Sequence, residues 1–326
     1  MTRERRSPRG GSVRWLRWLA VRLLGGLGVI WAVITLCFLA IHLITDDPVQ
    51  AVLGGGGSQA SAESVAQARA QYGLDQPLIV QYLIQLGNIA RLDFGTSYAQ
   101  KSEVTDLLAA NLGGTLQLAA AAIILAWALA VAVATVSATA GRWASWAGSA
   151  LEITAAALPH FWLGTILVLV FSTALGWLPS VSTSSMSGSI LPIITLAIPV
   201  AGFLGQVIRE SLQQALTSPF AMSARMRGET ESGVLWRHGI RHAIIPGLEV
   251  TSWAFGYLIG GAVVVESVFA RPGIGRLLLN AVRLRDTPVV IGVVVVIATI
   301  YVIVLAASDA IVAILDPRTR QLGAAR

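Results

Sequence analysis

The chain has 326 residues, of which 55% are hydrophobic and 12% charged, with a formal net charge of +6 and a mean hydropathy of +0.71. Soluble domains carry about 25% charged residues, so this composition excludes most soluble folds and indicates a membrane protein. Nucleic-acid binding is disfavoured, because the basic residues lie at the ends of apolar segments, where they control membrane topology. The single cysteine, Cys37, excludes a disulfide framework and a cysteine-rich metal site.

Six apolar stretches are long enough to cross a bilayer, which takes about 20 residues. Within them, acidic and basic side chains occur only as Glu249 and Asp309. The pattern therefore predicts an all-α integral membrane protein with about six transmembrane helices. The predicted spans are Leu23–Ile44, Thr115–Ala140, Ile153–Pro179, Ile190–Ile208, Ala243–Val265 and Val289–Leu315.

The distribution of lysine and arginine predicts that both termini are cytoplasmic. In that orientation the inside segments hold sixteen basic residues and the outside segments seven, in agreement with the positive-inside rule. Four arginines on one outside loop oppose the rule, but the basic cluster before the first span usually dominates. The predicted regions are a basic cytoplasmic N-terminus 1–22, a first transmembrane helix 23–44, an extracytoplasmic loop 45–114, a five-helix core 115–315 with a cytoplasmic loop 209–242, and a cytoplasmic tail 316–326.

The long loop 45–114 is predicted to contain two short helices. It has a flexible Gly54–Gly57 tract, and then Ser61–Tyr72 has the pattern of a helix stopped by Gly73. Asp75 is predicted to cap a second helix, whose apolar stripe should lie against the bundle or the membrane surface. The loop is too small for a catalytic domain but large enough to cover the mouth of a pore.

Common catalytic motifs are absent from the sequence. The motif G-x-x-x-x-G-K-[ST] does not occur and Lys101 is the only lysine, so the chain is not expected to hydrolyse ATP or to be an enzyme. His238 and His242 have an i, i+4 spacing, but the arginines beside them favour a solvated or headgroup-facing helix over a metal site. No metal or other cofactor is predicted.

Ionisable residues inside a span are costly and usually face a cavity or a partner. Asp309 fits a substrate or proton site, but also a structural ion pair near the cytoplasmic arginines. Glu249 lies about two turns into the fifth span and fits a functional role and structural pairing equally well. His42 and His160 are predicted to be hydrogen-bonded packing residues.

Prolines interrupt several of the predicted spans. A proline inside a helix leaves the carbonyl four residues earlier without its donor, here that of Ala155 for Pro159 and that of Thr195 for Pro199. Such breaks can mark a transport pathway, although packing kinks are the more common outcome. The other interrupting prolines are Pro192 and Pro246.

The segment Ser218–Pro246 forms the largest predicted cytoplasmic loop. Ser218 and Pro219 are a favourable N-cap and N1 pair, so a short helix is predicted to begin there. Gly228 supplies the left-handed residue that ends this helix. Thr230 then begins a second helix, which runs toward the membrane.

The short helix is predicted to contact another protein. Its small residues Ala221, Ser223 and Ala224 would let it seat closely in a groove on a partner. A short helix held between two spans can act as a mechanical lever.

The same segment resembles the EAA coupling motif of ABC importer permeases. The likeness lies in Phe220-Ala-Met-Ser-Ala-Arg-Met-Arg-Gly228 and Arg237-His-Gly-Ile-Arg-His-Ala-Ile-Ile-Pro246. It is greatest to the dipeptide/oligopeptide/nickel permease family and extends from about Leu19 to Arg320. Further matching stretches are Tyr72-Gly-Leu-Asp-Gln-Pro-Leu, Asp93-Phe-Gly-Thr-Ser, Phe161-Trp-Leu-Gly, Leu175-Gly-Trp-Leu-Pro, Val265-Glu-Ser-Val-Phe, Arg271-Pro-Gly-Ile-Gly-Arg and Leu315-Asp-Pro-Arg.

The chain departs from the family pattern at a few positions. Met222 replaces the glutamate of the general EAA motif, and His242 stands where the family usually has asparagine. Thr287 replaces a common tyrosine. These differences leave the resemblance intact, but they make it unsafe to transfer a substrate from a characterised relative.

The resemblance implies one permease subunit of an ATP-driven importer, with a type I ABC importer fold, in the inner (plasma) membrane of a bacterium. The chain is similar to the B-type permease, which implies a heterodimer with a second permease, two cytoplasmic ATP-binding subunits and an extracytoplasmic substrate-binding protein. Short peptides are the expected cargo; the alternatives are nickel or another small solute, and a proton-coupled secondary transporter. The residues implied in ATPase coupling are Phe220, Ser223, Ala224, Arg225, Gly228 and Pro246.

Overall fold

The computed structural model of the chain describes residues 10–44, 62–71, 75–182 and 185–315. The Gly54–Gly57 tract, Gly73 and the predicted cytoplasmic tail 316–326 lie outside the described residues.

The described residues are helical almost throughout, and their one β-bridge joins Thr96 and Glu103. The expected all-α fold is therefore confirmed. Two helices contain a π-helical stretch, Val168–Ala174 in α6 and Val234–Gly239 in α9. The helices are α1 (Gly10–Ile44), α2 (Ala62–Gln71), α3 (Leu78–Ala90), α4 (Val104–Thr139), α5 (Arg142–Ala157), α6 (His160–Ala174), α7 (Met186–Leu216), α8 (Pro219–Met226), α9 (Glu231–Val268), α10 (Ile274–Arg283) and α11 (Thr287–Leu315).

Five of the described helices are long and apolar enough to cross a membrane, namely α1, α4, α7, α9 and α11. A sixth candidate is the pair α5 and α6, which together pass the same test. The expected number of about six spans is thus confirmed by length and composition.

The third predicted span, Ile153–Pro179, is broken at Pro159, one of the prolines that the sequence marked as interruptions. The chain bends by 102° between α5 and α6. Pro159 has no amide hydrogen to continue the helix, and it forces the residue before it into an extended conformation. Leu158 accordingly has φ −72° and ψ 122°.

Two helices extend beyond the apolar stretches that revealed them. The second span was expected from Thr115, but α4 already begins at Val104. The fifth span was expected from Ala243, but α9 begins at Glu231. Hydropathy locates only the part of a helix that is apolar, whereas helical hydrogen bonding continues through polar turns.

Close contacts divide the chain into two compact units. The first unit comprises Met1–Thr105 and Leu284–Ala306. Its described core consists of buried aliphatic side chains on α1, α3 and α11, namely Ile34, Ile89, Ile291 and Val295.

A buried carboxylate in this first unit organises the turn that follows α3. Asp286 accepts hydrogen bonds from the Ser97 hydroxyl and from the backbone N–H groups of Tyr98 at 3.0 Å and Ala99 at 3.1 Å. Asp93 closes the same turn, since its side chain accepts from the Gly95 N–H at 2.9 Å. These bonds explain the Asp93-Phe-Gly-Thr-Ser stretch as a structural motif.

The second unit comprises Asp106–Arg283 and Ala307–Arg326. Its described core is built from α4, α7 and α9. Helix α4 contributes alanines at successive four-residue intervals, which let neighbouring helices approach closely. These buried alanines are Ala122, Ala126, Ala130 and Ala134.

Glycines bring α5 against α7 in the second unit. A Cβ added at Gly202 would lie 2.5 Å from the backbone oxygen of Glu152, and one added at Gly205 would lie 3.1 Å from the Glu152 side chain. The close contact seats the first half of the bent pair directly on α7.

Candidate coupling and translocation site

Helix α8 forms as its sequence predicts. Ser218 is its N-cap, and the Ser218 hydroxyl accepts a hydrogen bond from the Ala221 N–H at 3.5 Å. Gly228 has φ +84°, which confirms the expected left-handed stop. The Gly228 N–H donates to the Arg225 carbonyl at 2.9 Å and the Glu229 N–H to the Ala224 carbonyl at 3.2 Å, the bond pattern of a Schellman C-cap.

The small residues of α8 face the protein's own interior. Ala221 and Ala224 are both 0% exposed and pack with Val234 and Leu216. The expectation that these two alanines seat in a groove on a partner is therefore wrong, because their side chains have no free surface. Helical spacing puts both alanines on one face of α8, but the sequence alone does not show whether that face is inner or outer. The packing of Val234 and Leu216 makes it the inner face.

The opposite side of α8 carries the surface that a partner could reach. Met222 is 63% and Met226 85% exposed, and Ser223 is also exposed. Phe220 is exposed as well, but its ring stacks on His242 with a centroid separation of 4.6 Å. We call the residues Phe220, Met222, Ser223 and Met226 the α8 outer face.

Arg225 joins three elements around this short helix. Its guanidinium donates two hydrogen bonds to Glu231, at 2.8 and 3.0 Å, and a third to the Leu216 carbonyl at 2.9 Å. Hydrogen bonding to Glu231 raises the pKa of Arg225 further above its usual range. The side chain thus ties the end of α7 to the start of α9.

Glu229, directly after the glycine stop, holds the first turns of α9. Its carboxylate accepts from Arg237 at 3.1 Å and pairs with His238 Nε2 at 3.0 Å. Thr230 caps α9, as predicted, by accepting from the Gly233 N–H at 3.2 Å. The π-helical stretch of α9 follows at once; such stretches are frequent at functional sites.

The candidate residues inside the spans lie apart. Pro246 is within α9, and Glu249 is exposed three residues beyond it. Asp309 is half-buried on α11. Among the described residues no group of three or more histidine, cysteine, aspartate or glutamate side chains could hold a metal ion.

The two intramembrane histidines make the backbone hydrogen bonds expected of packing residues. His42 Nδ1 lies 2.8 Å from the Phe38 carbonyl oxygen. His160 Nδ1 lies 3.3 Å from the Thr195 carbonyl oxygen. That carbonyl is the one left without a helical donor by Pro199, so the histidine replaces the missing N–H.

An ion pair that the sequence analysis missed joins α5 to α7. Glu152 is buried, and its carboxylate accepts from Arg209 Nε at 2.7 Å. Arg209 also donates to the Ser149 hydroxyl at 3.3 Å. Glu152 lies one residue before the predicted span Ile153–Pro179, so a wider window would have revealed it.

A second missed carboxylate, Glu266, lies one residue after the predicted fifth span. It is 0% exposed, and it accepts hydrogen bonds from the Thr115 hydroxyl and from the Arg276 N–H at 3.0 Å. The Thr115 oxygen in turn accepts from the Ile274 N–H at 2.9 Å. A Cβ added at Gly273 would lie 2.2 Å from the Glu266 carboxyl carbon.

The segment before α10 is thereby fixed to α4 and α9. Arg271 completes the arrangement by donating to the hydroxyls of Ser182 and Ser189, both at 2.9 Å. The stretches Val265-Glu-Ser-Val-Phe and Arg271-Pro-Gly-Ile-Gly-Arg therefore form one buried polar cluster. We call Thr115, Glu266, Gly273 and Arg276 the Glu266 cluster.

Residues 122–321 match the family described as "Binding-protein-dependent transport system inner membrane component", and residues 15–119 match the N-terminal component of the same kind of system. The chain belongs to this family. The resemblance to ABC importer permeases of the dipeptide/oligopeptide/nickel type is thereby confirmed, and the protein is a multi-pass inner-membrane permease subunit.

Near relatives cover almost the whole chain. The glutathione transport system permease protein GsiC of Salmonella choleraesuis (strain SC-B67) is 35% identical over 306 residues, which is 94% of this chain and 99% of the relative. GsiC of Escherichia coli (strain K12) is 33% identical over the same lengths. A crystal structure of an amino acid ABC transporter with histidines aligns at a TM-score of 0.48 and 19% identity, covering 66% of this chain and 94% of that one.

Proposed function

We propose that the chain forms half of a translocation pore for short peptides and that cytoplasmic ATPases drive it through the loop 218–246. The observation that carries the peptide assignment is the near full-length similarity to permeases named for glutathione transport, since glutathione is itself a tripeptide. Nickel or another small solute is the alternative cargo for the same machinery.

The coupling role rests on how α8 is built. The α8 outer face offers two flexible methionine side chains, which adapt well to a partner surface. Ala221 and Ala224 anchor the helix from within, while Arg225 and Gly228 fix its two connections. A push on α8 would therefore pass into α9, and through Pro246 into the membrane.

Alternating access requires that the ligands bind the two conformational states of the transporter with different affinities. ATP binding closes the two ATPases and moves the α8 helices of both permeases. A ligand shifts a conformational equilibrium only as far as its affinities for the two states differ. The proposed partners are accordingly a second permease, two ATP-binding subunits and an extracytoplasmic binding protein that delivers cargo beside the loop 45–114.

The topology that this function requires can be tested with tags. With both termini cytoplasmic, tags at Met1 and Arg326 should be protected from protease in intact spheroplasts, whereas a tag at Gly55 should be cleaved. Permeabilised cells, in which all three tags should be cleaved, are the control. A C-terminal tag that is cleaved in intact spheroplasts would contradict the six-span arrangement.

The cargo assignment can be tested by uptake in a strain that lacks this chain. We expect loss of uptake of labelled di- to pentapeptides, restored by the intact gene, with unchanged accumulation of nickel at low concentration. Loss of nickel accumulation alone would overturn the peptide assignment but not the importer assignment. Uptake that persists without the cognate ATPases would instead indicate a proton-coupled carrier.

A further inference from the structure

We propose that one face of α9 contacts the cargo and that Glu249 on this face binds the free amino group of a peptide. The inference rests on the proposed peptide import and names the residues that would recognise the peptide. The face consists of Glu249, Trp253, Tyr257, Gly260 and Val264, which we call the α9 stripe.

Helical spacing places these five residues on one side of α9. They follow one another at intervals of four, four, three and four residues, and residues three or four apart are neighbours on a helix surface. All five are exposed in this chain. The stripe is therefore a surface that the chain's own packing leaves open along a membrane-spanning helix.

A carboxylate on such a surface is unfavourable against lipid. Ionisable side chains within spans almost always face a protein neighbour or a water-filled cavity. Glu249 is exposed, and it lies about two turns into the predicted fifth span. The stripe thus faces a polar compartment or a partner rather than hydrocarbon.

The aromatic residues of the stripe belong to a row of four rings in contact, Phe203, Trp253, Tyr257 and His160, which we call the ladder. The Phe203 and Trp253 rings lie 4.4 Å apart, Trp253 and Tyr257 are stacked at 5.6 Å with 13° between planes, and Tyr257 lies 4.9 Å from His160. The His160 ring is itself held by the Thr195 carbonyl. The rings therefore contact one another within the chain itself, and such preorganised contacts lower the entropy cost of binding.

A shallow open groove of about 370 Å³ lies beside the end of this ladder. It lies where the bent pair breaks at Pro159, and Tyr257 and the glycines Gly260 and Gly261 line its other side. An added Cβ at Gly261 would come within 2.5 Å of His160 Nε2, whereas Gly260 faces open space. The volume is within the usual range of ligand pockets, about 300–1,000 Å³.

The chemistry of the stripe suits an extended peptide with a free amino end. A carboxylate binds an ammonium group, and the faces of Trp253 and Tyr257 attract cations and stack on planar amide groups. Glu249 and Tyr257 are about 12 Å apart along the helix axis, from a rise of about 1.5 Å per residue. An extended peptide of about three to four residues covers that distance.

The test uses the complete transporter with its binding protein in proteoliposomes and a labelled tripeptide with a free amino end. Glu249→Gln keeps the side-chain shape but removes the charge, so uptake should fall by about tenfold or more. Glu249→Asp keeps the charge and should retain most of the uptake. Glu210→Gln, at an exposed carboxylate on α7, is the matched control and should transport normally.

A second pair of variants tests the ladder. Tyr257→Leu should reduce peptide uptake strongly, whereas Tyr257→Phe keeps the aromatic ring and should retain most of the uptake.

Normal peptide uptake by Glu249→Gln would overturn the inference while leaving the peptide function standing. Loss of the second permease from the purified Glu249→Gln complex would also overturn it, since Glu249 would then be an interface residue. A wild-type complex that transports no peptide would overturn the proposed function as well.

Discussion

Replacing Gly228 by valine is expected to abolish uptake while the protein still reaches the membrane. Gly228 has φ +84°, a conformation that costs a residue with a side chain about 1–3 kcal/mol, and most for a β-branched one. Relief of that strain would move Glu229, whose carboxylate holds Arg237 and His238. The short helix would then be displaced at the point where force is proposed to pass into α9.

Transport and ATPase association are measured together for this variant. We expect uptake below about a tenth of wild type and weaker co-purification of the ATPases, as a misplaced coupling helix predicts. Gly228→Asn should retain much of the function, because asparagine tolerates the left-handed region. Gly87→Val, at a glycine with open space around it, is the control for the substitution itself. Normal transport by Gly228→Val would remove the coupling role from this turn.

Replacing Glu266 by alanine is expected to destabilise the permease strongly. Its carboxylate is fully buried and is the acceptor for the Thr115 hydroxyl and the Arg276 N–H. Each buried donor left without an acceptor costs about 1–3 kcal/mol, and a cavity adds to that cost. Both α10 and α4 would lose the hydrogen bonds that join them to α9 at Glu266.

The stability of this variant is measured as the thermal midpoint of the detergent-purified complex. Glu266→Ala should lower the midpoint much more than Glu266→Gln, since the amide keeps the volume and one acceptor oxygen. Glu210→Ala, at an exposed carboxylate on α7, should leave the midpoint unchanged. Equal midpoints for Glu266→Ala and wild type would show that the Glu266 cluster does not stabilise the fold.

The sequence by itself determined the features that depend on local chemistry. Long apolar runs identified the spanning helices, since any backbone polar group in lipid must be satisfied within its own segment. Ser218, Gly228 and Thr230 correctly marked the two ends of α8 and the start of α9, because a cap or a left-handed stop acts within a few residues. The family resemblance rested on the segment around these residues and on further short stretches along the chain.

The tertiary structure alone decided what depends on residues distant in the chain. Glu152 pairs with Arg209, 57 positions away, and Glu266 pairs with Thr115, 151 positions away. No local sequence pattern connects such partners. Ala224 faces inward because Val234 and Leu216 pack on that side of α8, and small size alone did not distinguish an inner from an outer face. The 102° bend at Pro159 was likewise not determined by the sequence, because proline permits either a kink or a break and the local pattern does not set the angle.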